Sequence, residues 1–140
     1  MWFQGRLHGD LIFLPFVYTT VNNVWRGGYV MKDKNIWLNG IMGVVVGDAL
    51  GLPVQFSYRE ELEKKPVTEM IGHGVFNMPV GSWSDDSSLT LATLSSINEL
   101  NRIDTEDIMK RFVCWYDDGE YTPFGYAYDI GYTCEMAICK

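Results

Sequence analysis

The sequence predicts an all-α protein, and three observations support that class. Apolar residues recur at helical spacing over residues 36–50, over residues 89–100 and over residues 108–116. Hydroxyl or acidic residues suited to helix starts, Ser84 and Asp104, precede the second and third of these segments. With 140 residues, the chain is long enough for one domain of ordinary size with a real hydrophobic core.

Composition excludes several classes of protein. Hydrophobic residues make up 47% of the chain and aromatic residues 14%, which excludes an intrinsically disordered protein. The net charge of −7 disfavours a general nucleic-acid binder. The 3 cysteines form no Cys-x-x-Cys pair, so we expect no disulfide framework, no zinc site and a reduced, cytoplasmic setting. The apolar run at residues 11–17 is too short to span a bilayer, and no membrane association is expected.

Residues 1–34 differ from the rest of the chain. They mix glycines with aromatic residues without a sustained period, and residues 17–24 are rich in β-forming types that predict a short strand, in a hairpin with residues 28–31. The first strong helical pattern starts just after Met31. The sequence therefore predicts an atypical N-terminal appendage at 1–34 and a helical domain at 35–140.

The first predicted helix, residues 36–50, is apolar around nearly its whole circumference. Such a helix belongs in the middle of a bundle. Gly43 and Gly47 are spaced so that another backbone can come close, which would offset the cost of about 1 kcal/mol per helical glycine. Asp48 is the lone charge in this apolar run. It either presents a carboxylate beside a metal or is a solvated or capping aspartate, and the two interpretations carry equal weight.

The next segments are a short helix and a loop. Residues 58–65 are charged and end at Pro66, which predicts a short helix. The glycine-bracketed, aperiodic residues 72–81 predict a loop. His73 in this loop is a candidate general base, although an exposed, inert histidine is the favoured interpretation.

The second half of the chain predicts three more helices. The apolar face of the second long helix is expected to consist of Leu89, Ala92, Thr93, Ile97 and Leu100, with its stop near Asn101. For the third helix, Asp104 is the expected N-cap and Ile103 with Ile108 the expected hydrophobic staple. Its expected buried stripe consists of Ile108, Phe112, Trp115 and Tyr116.

The acidic residues 117–120 close the third helix, and they lack the alternating ligand spacing of a calcium loop, so a solvated turn is predicted. Residues 121–128, rich in tyrosine, glycine and proline, predict a loop. Asp129 is then the expected cap of a last helix through Ala137.

The candidate site lies where the second long helix starts. Asp85 and Asp86 are adjacent, and the hydroxyls of Ser84 and Ser87 flank them. Carboxylate and hydroxyl oxygens are the ligands that Mg²⁺, Mn²⁺ and Ca²⁺ prefer. The same residues also suit a plain helix start, because a serine N-cap accepts a backbone N–H and first-turn acids oppose the helix dipole. The local pattern alone favours the plain helix start.

Three ordered segments change that balance. Residues 43–54 read Gly-Val-Val-Val-Gly-Asp-Ala-Leu-Gly-Leu-Pro-Val, residues 81–87 read Gly-Ser-Trp-Ser-Asp-Asp-Ser, and residues 129–133 read Asp-Ile-Gly-Tyr-Thr. In content, order and spacing they resemble the ADP-ribosylglycohydrolase family, over roughly residues 36–140.

This resemblance implies an orthogonal all-α bundle with a binuclear Mg²⁺ or Mn²⁺ centre. It implies cleavage of the glycosidic bond between ADP-ribose and a protein side chain or small molecule. Ser84, Asp85 and Asp86 stand where the family has metal ligands, and Asp85 and Asp86 are the implied catalytic pair. The implied lining of the ADP-ribose groove is Asp129, Gly131 and Thr133.

The sequence departs from the family in two respects. Gln55 stands where the family usually has a glutamate, and an amide cannot act as a carboxylate base or ligand. The family's domain is considerably longer, and its second half supplies an Asp-x-Asp metal motif that does not occur in this sequence. We therefore expect a truncated bundle with little or no activity alone, which self-associates or pairs with a missing C-terminal half. The alternative is a non-enzymatic ADP-ribose-binding module or an acidic helical interaction module.

Overall fold

This computed structural model describes residues 36–140. Within them the chain folds into five α-helices and one 3₁₀ turn, without a β-strand. The helices are α1 (Ile36–Gly51), α2 (Arg59–Lys64), α3 (Asp85–Leu100), α4 (Thr105–Asp118) and α5 (Tyr132–Ile138), and the 3₁₀ turn is Leu52–Val54. The all-α prediction is confirmed for this part of the chain. The strand and hairpin predicted in residues 17–31, and the boundary at residue 34, lie outside the described residues.

Helix α1 forms where it was predicted, but it is not buried on all sides. Val45 and Ala49 are buried, whereas Ile36, Trp37 and Val44 are more than two-fifths exposed. The close backbone approach expected at Gly43 and Gly47 is absent from the described part, because a Cβ placed on either residue would meet nothing within 4 Å. The physical reason is that, of the long helices described, only α3 packs on α1 and covers one face.

The apolar character of α1 also raises the question of a membrane. By length and composition, the 19 residues of Ile36–Val54 would be able to cross a bilayer. One such helix is weak support for a membrane protein, since the core helix of a soluble protein has the same length and composition. The absence of membrane association therefore stays a prediction.

Helix α3 packs against both α1 and α4, and its buried face differs from the predicted one. Leu91 is the centre of the core and contacts Leu38, Ile41, Met42 and Tyr121. The other buried residues of α3 are small: Ser87, Ser88, Ala92 and Ser96. Of the predicted apolar face, Ala92 is buried, Leu89, Thr93 and Ile97 are half-buried, and Leu100 is exposed. The prediction missed Leu91 and the three serines, because small residues at a helix contact let the helices approach closely.

Helix α4 begins and ends as predicted. The carboxylate of Asp104 accepts hydrogen bonds from the backbone N–H groups of Glu106 and Asp107, both at 3.2 Å. Trp115 is fully buried, and the other members of the predicted stripe are half-buried. The staple is wrong, because Ile103 is 76% exposed.

Helices α3 and α4 both end at left-handed residues. Asn101 after α3 has φ of 52°, and Gly119 after α4 has φ of 70°. A Cβ on Gly119 would lie 2.2 Å from the carbonyl of Gly125, so glycine is required there by conformation and by space. The acidic neighbours of Gly119 are exposed, in agreement with the predicted solvated turn.

Helix α5 begins later than predicted and has a different cap. Its N-cap is Gly131, which has no side chain to cap with, so the assignment of Asp129 as the cap is wrong. Asp129 instead adopts a left-handed conformation with φ of 59°, which aspartate tolerates better than most residues. Cys114, Cys134 and Cys139 are free, as predicted.

Candidate functional site

Asp48, the lone charge of α1, reaches across to the start of α3. Its carboxylate accepts the backbone N–H of Ser84 at 2.9 and 3.1 Å, and that of Ser87 at 3.1 Å. It also accepts the hydroxyl of Ser84 at 2.8 Å and that of Ser87 at 2.5 Å. Asp48 is therefore the cap of α3, supplied by another helix 36 residues earlier in the chain.

This contact corrects the plain helix-start interpretation. Ser84 is the N-cap residue by position, but its side chain makes no capping hydrogen bond. Its hydroxyl donates to Asp48 instead. Asp85 and Asp86 occupy the first turn, where the helix dipole favours negative charge. Because Asp48 accepts the N–H groups of Ser84 and Ser87, the cap of α3 does not depend on these two carboxylates.

A cluster of carboxylates forms beside this helix start. Asp85 is half-buried, and burial together with the charges of Asp86 and Asp129 raises the pKa of Asp85 to about 6. The pKa of Asp129 is also raised, by burial and by the charges of Asp48 and Asp86. Across residues 36–140, none of the ion pairs involves Asp85, Asp86 or Asp129. Within the described residues, the negative charges of the acidic cluster therefore have no basic partner.

Gln55 holds Asp129 in this cluster. Its amide nitrogen donates to Oδ1 of Asp129 at 3.1 Å, and this hydrogen bond opposes the rise in the pKa of Asp129. A glutamate at this position would be an acceptor and would repel Asp129. The replacement noted in the sequence therefore has a structural role, since it connects the turn after α1 to the loop before α5.

Aromatic residues brace the segment that leads into α3. The Trp83 indole N–H donates to the carbonyl oxygen of Tyr121 at 3.1 Å, and the Tyr128 hydroxyl donates to the carbonyl oxygen of Trp83. Burial and the charge of Asp48 raise the pKa of Tyr128, so this hydroxyl stays protonated as a donor. Sequence reasoning missed Tyr121 and Tyr128, because their loop has no periodicity that indicates which side chains face inwards.

The remaining predicted site residues lie at or near the surface. Gly131 and Thr133 are exposed at the start of α5, next in the chain to Asp129. His73 is exposed, and its Nδ1 lies 3.1 Å from Oδ1 of Asn77. The structure therefore brings Ser84, Asp85 and Asp129 close together. His73 is exposed, as the favoured interpretation of the sequence predicted.

The donor set can be compared with what a metal needs. Carboxylate and hydroxyl oxygens match a hard dication in kind. In number the donors fall short. Over the described range, no three histidine, cysteine, aspartate or glutamate residues are grouped so that they would hold a metal ion. The set fits part of a metal site.

Fold and site together define a helical protein with an acidic site where one helix caps another. Comparison with known proteins gives the family. Residues 33–140 match the family model described as ADP-ribosylglycohydrolase. The chain belongs to the ADP-ribosylglycohydrolase family.

Three relatives illustrate the similarity. The ADP-ribosylarginine hydrolase Tri1 of Serratia proteamaculans is 34% identical over 133 residues, which covers 83% of this chain and 36% of that protein. The ADP-ribosylarginine hydrolase Tri1 of Pseudomonas putida is 30% identical, with 70% and 26% covered. The ADP-ribosyl-[dinitrogen reductase] glycohydrolase of Rhodospirillum rubrum is 29% identical, with 72% and 33% covered. The chain thus spans between a quarter and two-fifths of these curated relatives.

Proposed function

We propose that this chain supplies part of the active site of an ADP-ribosyl hydrolase, which removes ADP-ribose from a modified side chain. Arginine is the proposed acceptor, because two of the relatives are named ADP-ribosylarginine hydrolases. The observation that carries the proposal is the acidic cluster of Asp85, Asp86 and Asp129, which has no basic partner within residues 36–140 and lies at a helix start that Asp48 already caps.

Ser84, Asp85 and Asp86 would hold Mg²⁺ or Mn²⁺. When bound, such an ion supplies charge stabilisation and lowers the pKa of a coordinated water. Asp48 prepares the ligand set, since it accepts the hydrogen bond that the Ser84 hydroxyl donates and so leaves the lone pairs of that oxygen available. It also fixes the backbone that carries both carboxylates, so Asp85 and Asp86 are presented in one geometry.

The substrate would lie along the loop before α5. The carboxylate of Asp129, held by Gln55, would accept a hydrogen bond from a ribose hydroxyl. Gly131 and Thr133 are exposed and accessible to the rest of the ligand. The ring of Tyr128 lies 5.9 Å from Tyr126 and 6.2 Å from Phe76, which gives the site an aromatic wall beside its acidic cluster.

We further propose that the remaining metal ligands come from outside residues 36–140. Two observations support this part of the proposal: the donors found here are too few for a metal site, and the relatives are far longer than the matched region. A metal held by few protein ligands keeps most of its waters and binds weakly. Low activity of the isolated chain follows.

The direct test is release of ADP-ribose from an ADP-ribosylated arginine peptide in the presence of Mg²⁺. We expect slow release by the chain and none by a variant with Asp85→Ala and Asp86→Ala. The matched control changes Asp117→Ala and Asp118→Ala, an exposed acidic pair at the end of α4. Equal release by all three proteins, or a loss in the control alone, would contradict the proposal.

One observation favours a second candidate function, an ADP-ribose-binding module without turnover. Gln55 provides an amide beside Asp129 in place of a further carboxylate. A thermal shift with ADP-ribose that is not accompanied by any release from the peptide would support this function over hydrolysis.

A further inference from the structure

Arg111 on α4 joins three parts of the molecule through one guanidinium group. Its side chain is 17% exposed, and its Nε and Nη2 donate to Asp107 and Glu99, both at 2.7 Å. Its Nη1 donates to the Ser95 hydroxyl at 2.9 Å and to the Tyr121 hydroxyl at 3.2 Å. Helix α3, helix α4 and the loop after α4 therefore meet at this side chain.

Tyr121 carries the contact onward to the acidic cluster. It packs on Leu91 in the core, and its backbone is left-handed, with φ of 63°. The carbonyl oxygen of Tyr121 accepts the indole N–H of Trp83. Trp83 immediately precedes Ser84, so the route from Arg111 to the site runs through one hydroxyl and one carbonyl oxygen.

We propose that Arg111 is a positioning residue for the site and that it acts through Tyr121 on Trp83. This inference rests on the proposed function. The guanidinium group of Arg111 fixes the phenol ring of Tyr121, and the carbonyl oxygen of Tyr121 in turn holds the indole of Trp83. The position of Trp83 then fixes the segment that presents Asp85.

The arrangement differs from an ordinary surface ion pair. Arg102 also pairs with an aspartate at a distance of 2.7 Å, but its side chain is 70% exposed and its partner is a neighbour in sequence. Such a pair contributes little. Arg111 is mostly covered and contacts partners on two helices and a loop, so its loss would move the loop as well as remove a charge.

The test distinguishes a loss of the Arg111–Tyr121 contact from a loss of overall stability. Tyr121→Phe removes only the hydroxyl that Arg111 contacts, and Tyr58→Phe is the control, at a tyrosine that is 73% exposed. The signal to follow is the Trp83 indole ¹H–¹⁵N resonance, assigned among the 5 tryptophans with Trp83→Phe. The second measurement is the affinity of the chain for ADP-ribose in the presence of Mg²⁺, made well below the melting temperature.

We expect Tyr121→Phe to shift the Trp83 indole resonance, speed its hydrogen exchange about tenfold and weaken ADP-ribose binding three- to tenfold. Tyr58→Phe should change none of these. An unchanged indole signal in Tyr121→Phe would contradict the proposed coupling of Arg111 to Trp83 through Tyr121. A shifted signal with unchanged affinity for ADP-ribose would contradict the positioning role of Arg111. If the unaltered chain binds no ADP-ribose, the proposed function fails, which is distinct from a loss confined to the variant.

Discussion

The starts of helices α3 and α4 look alike in sequence and differ in structure. Both have a polar N-cap followed by two acidic residues in the first turn. At α4 the cap is local, and each acid is paired: Asp104 with Arg102, Glu106 with Lys110 and Asp107 with Arg111. At α3 the cap comes from Asp48 on a different helix, and the acids have no basic partner in the described part of the chain.

The pKa values of the acidic residues at the two helix starts also differ. Hydrogen bonds from the backbone and from arginine lower the pKa of Asp104 and Asp107. Burial and neighbouring carboxylates raise that of Asp85. The start of α4 has the charge pattern of a structural element, because each of its acidic side chains is paired with a nearby basic residue. The start of α3 has acidic side chains that lack a basic partner within residues 36–140, as the proposed site requires.

The largest expected effect comes from removing the remote cap. Asp48→Ala leaves the N–H groups and hydroxyls of Ser84 and Ser87 without their acceptor, so we expect a loss of about 2 kcal/mol or more in the free energy of unfolding. Asp104→Ala removes a local cap that accepts only two backbone N–H groups and should cost clearly less. Urea unfolding of both variants makes the comparison. An equal or smaller loss for Asp48→Ala would show that the α3 start does not depend on α1.

A smaller effect, with a pH signature, is expected from Asp85→Asn. The folded chain keeps the Asp85 proton up to about pH 6, whereas the ordinary pKa is 3.8. Between these values the folded state binds more protons than the unfolded state, so the stability contribution of this group falls as pH rises. After allowance for solvent screening, the metal-free variant should be about 1 kcal/mol more stable than the parent above pH 6 and equal to it below pH 4.

Asp107→Asn is the matched control. The pKa of Asp107 is lowered by its hydrogen bond from Arg111, so its contribution is present at neutral pH and lost as pH falls. We expect that variant to be less stable than the parent at pH 7. Thermal unfolding from pH 3 to 8 measures both variants, and a stabilising Asp107→Asn together with a destabilising Asp85→Asn would reverse the comparison.

The smallest effect is expected from Gln55→Glu, which tests the edge of the acidic cluster. The substitution removes the hydrogen bond to Asp129 and adds a carboxylate next to it, so the melting temperature should fall without metal. Mn²⁺ should recover part of this loss, because the new carboxylate is a further ligand for a hard cation. The control Gln55→Ala loses the hydrogen bond without gaining a charge and should show no such recovery.

The two helix starts also show how far the sequence predicts this fold. Local signals sufficed for α4, because Asp104 caps residues two and three positions away, and for the stops at Asn101 and Gly119. They failed where the partner is distant. The sequence singled out Asp48 as an isolated charge, yet no local pattern connects it to Ser84, 36 residues later.

The same limit applies to the rest of the site. The Asp85–Asp86 pair was found through three ordered motifs, and the structure brings Asp129 beside that pair. Its hydrogen bond with Gln55 joins residues 74 positions apart, and the Arg111–Tyr121–Trp83 route passes through a loop without periodicity. Tertiary packing alone determines these contacts. For the same reason the cap assigned to Asp129 was wrong, since its carboxylate has a partner outside its own segment.

The most direct test is an NMR titration of the Asp85 side-chain carboxyl carbon with and without Mg²⁺. An acidic cluster that awaits a cation predicts an apparent pKa near 6 in metal-free buffer. Millimolar Mg²⁺ should lower that value measurably, while the carboxyl of Asp107 stays unaffected. A pKa near 3.8 that does not respond to Mg²⁺ would contradict the account and leave the start of α3 as a structural element like that of α4.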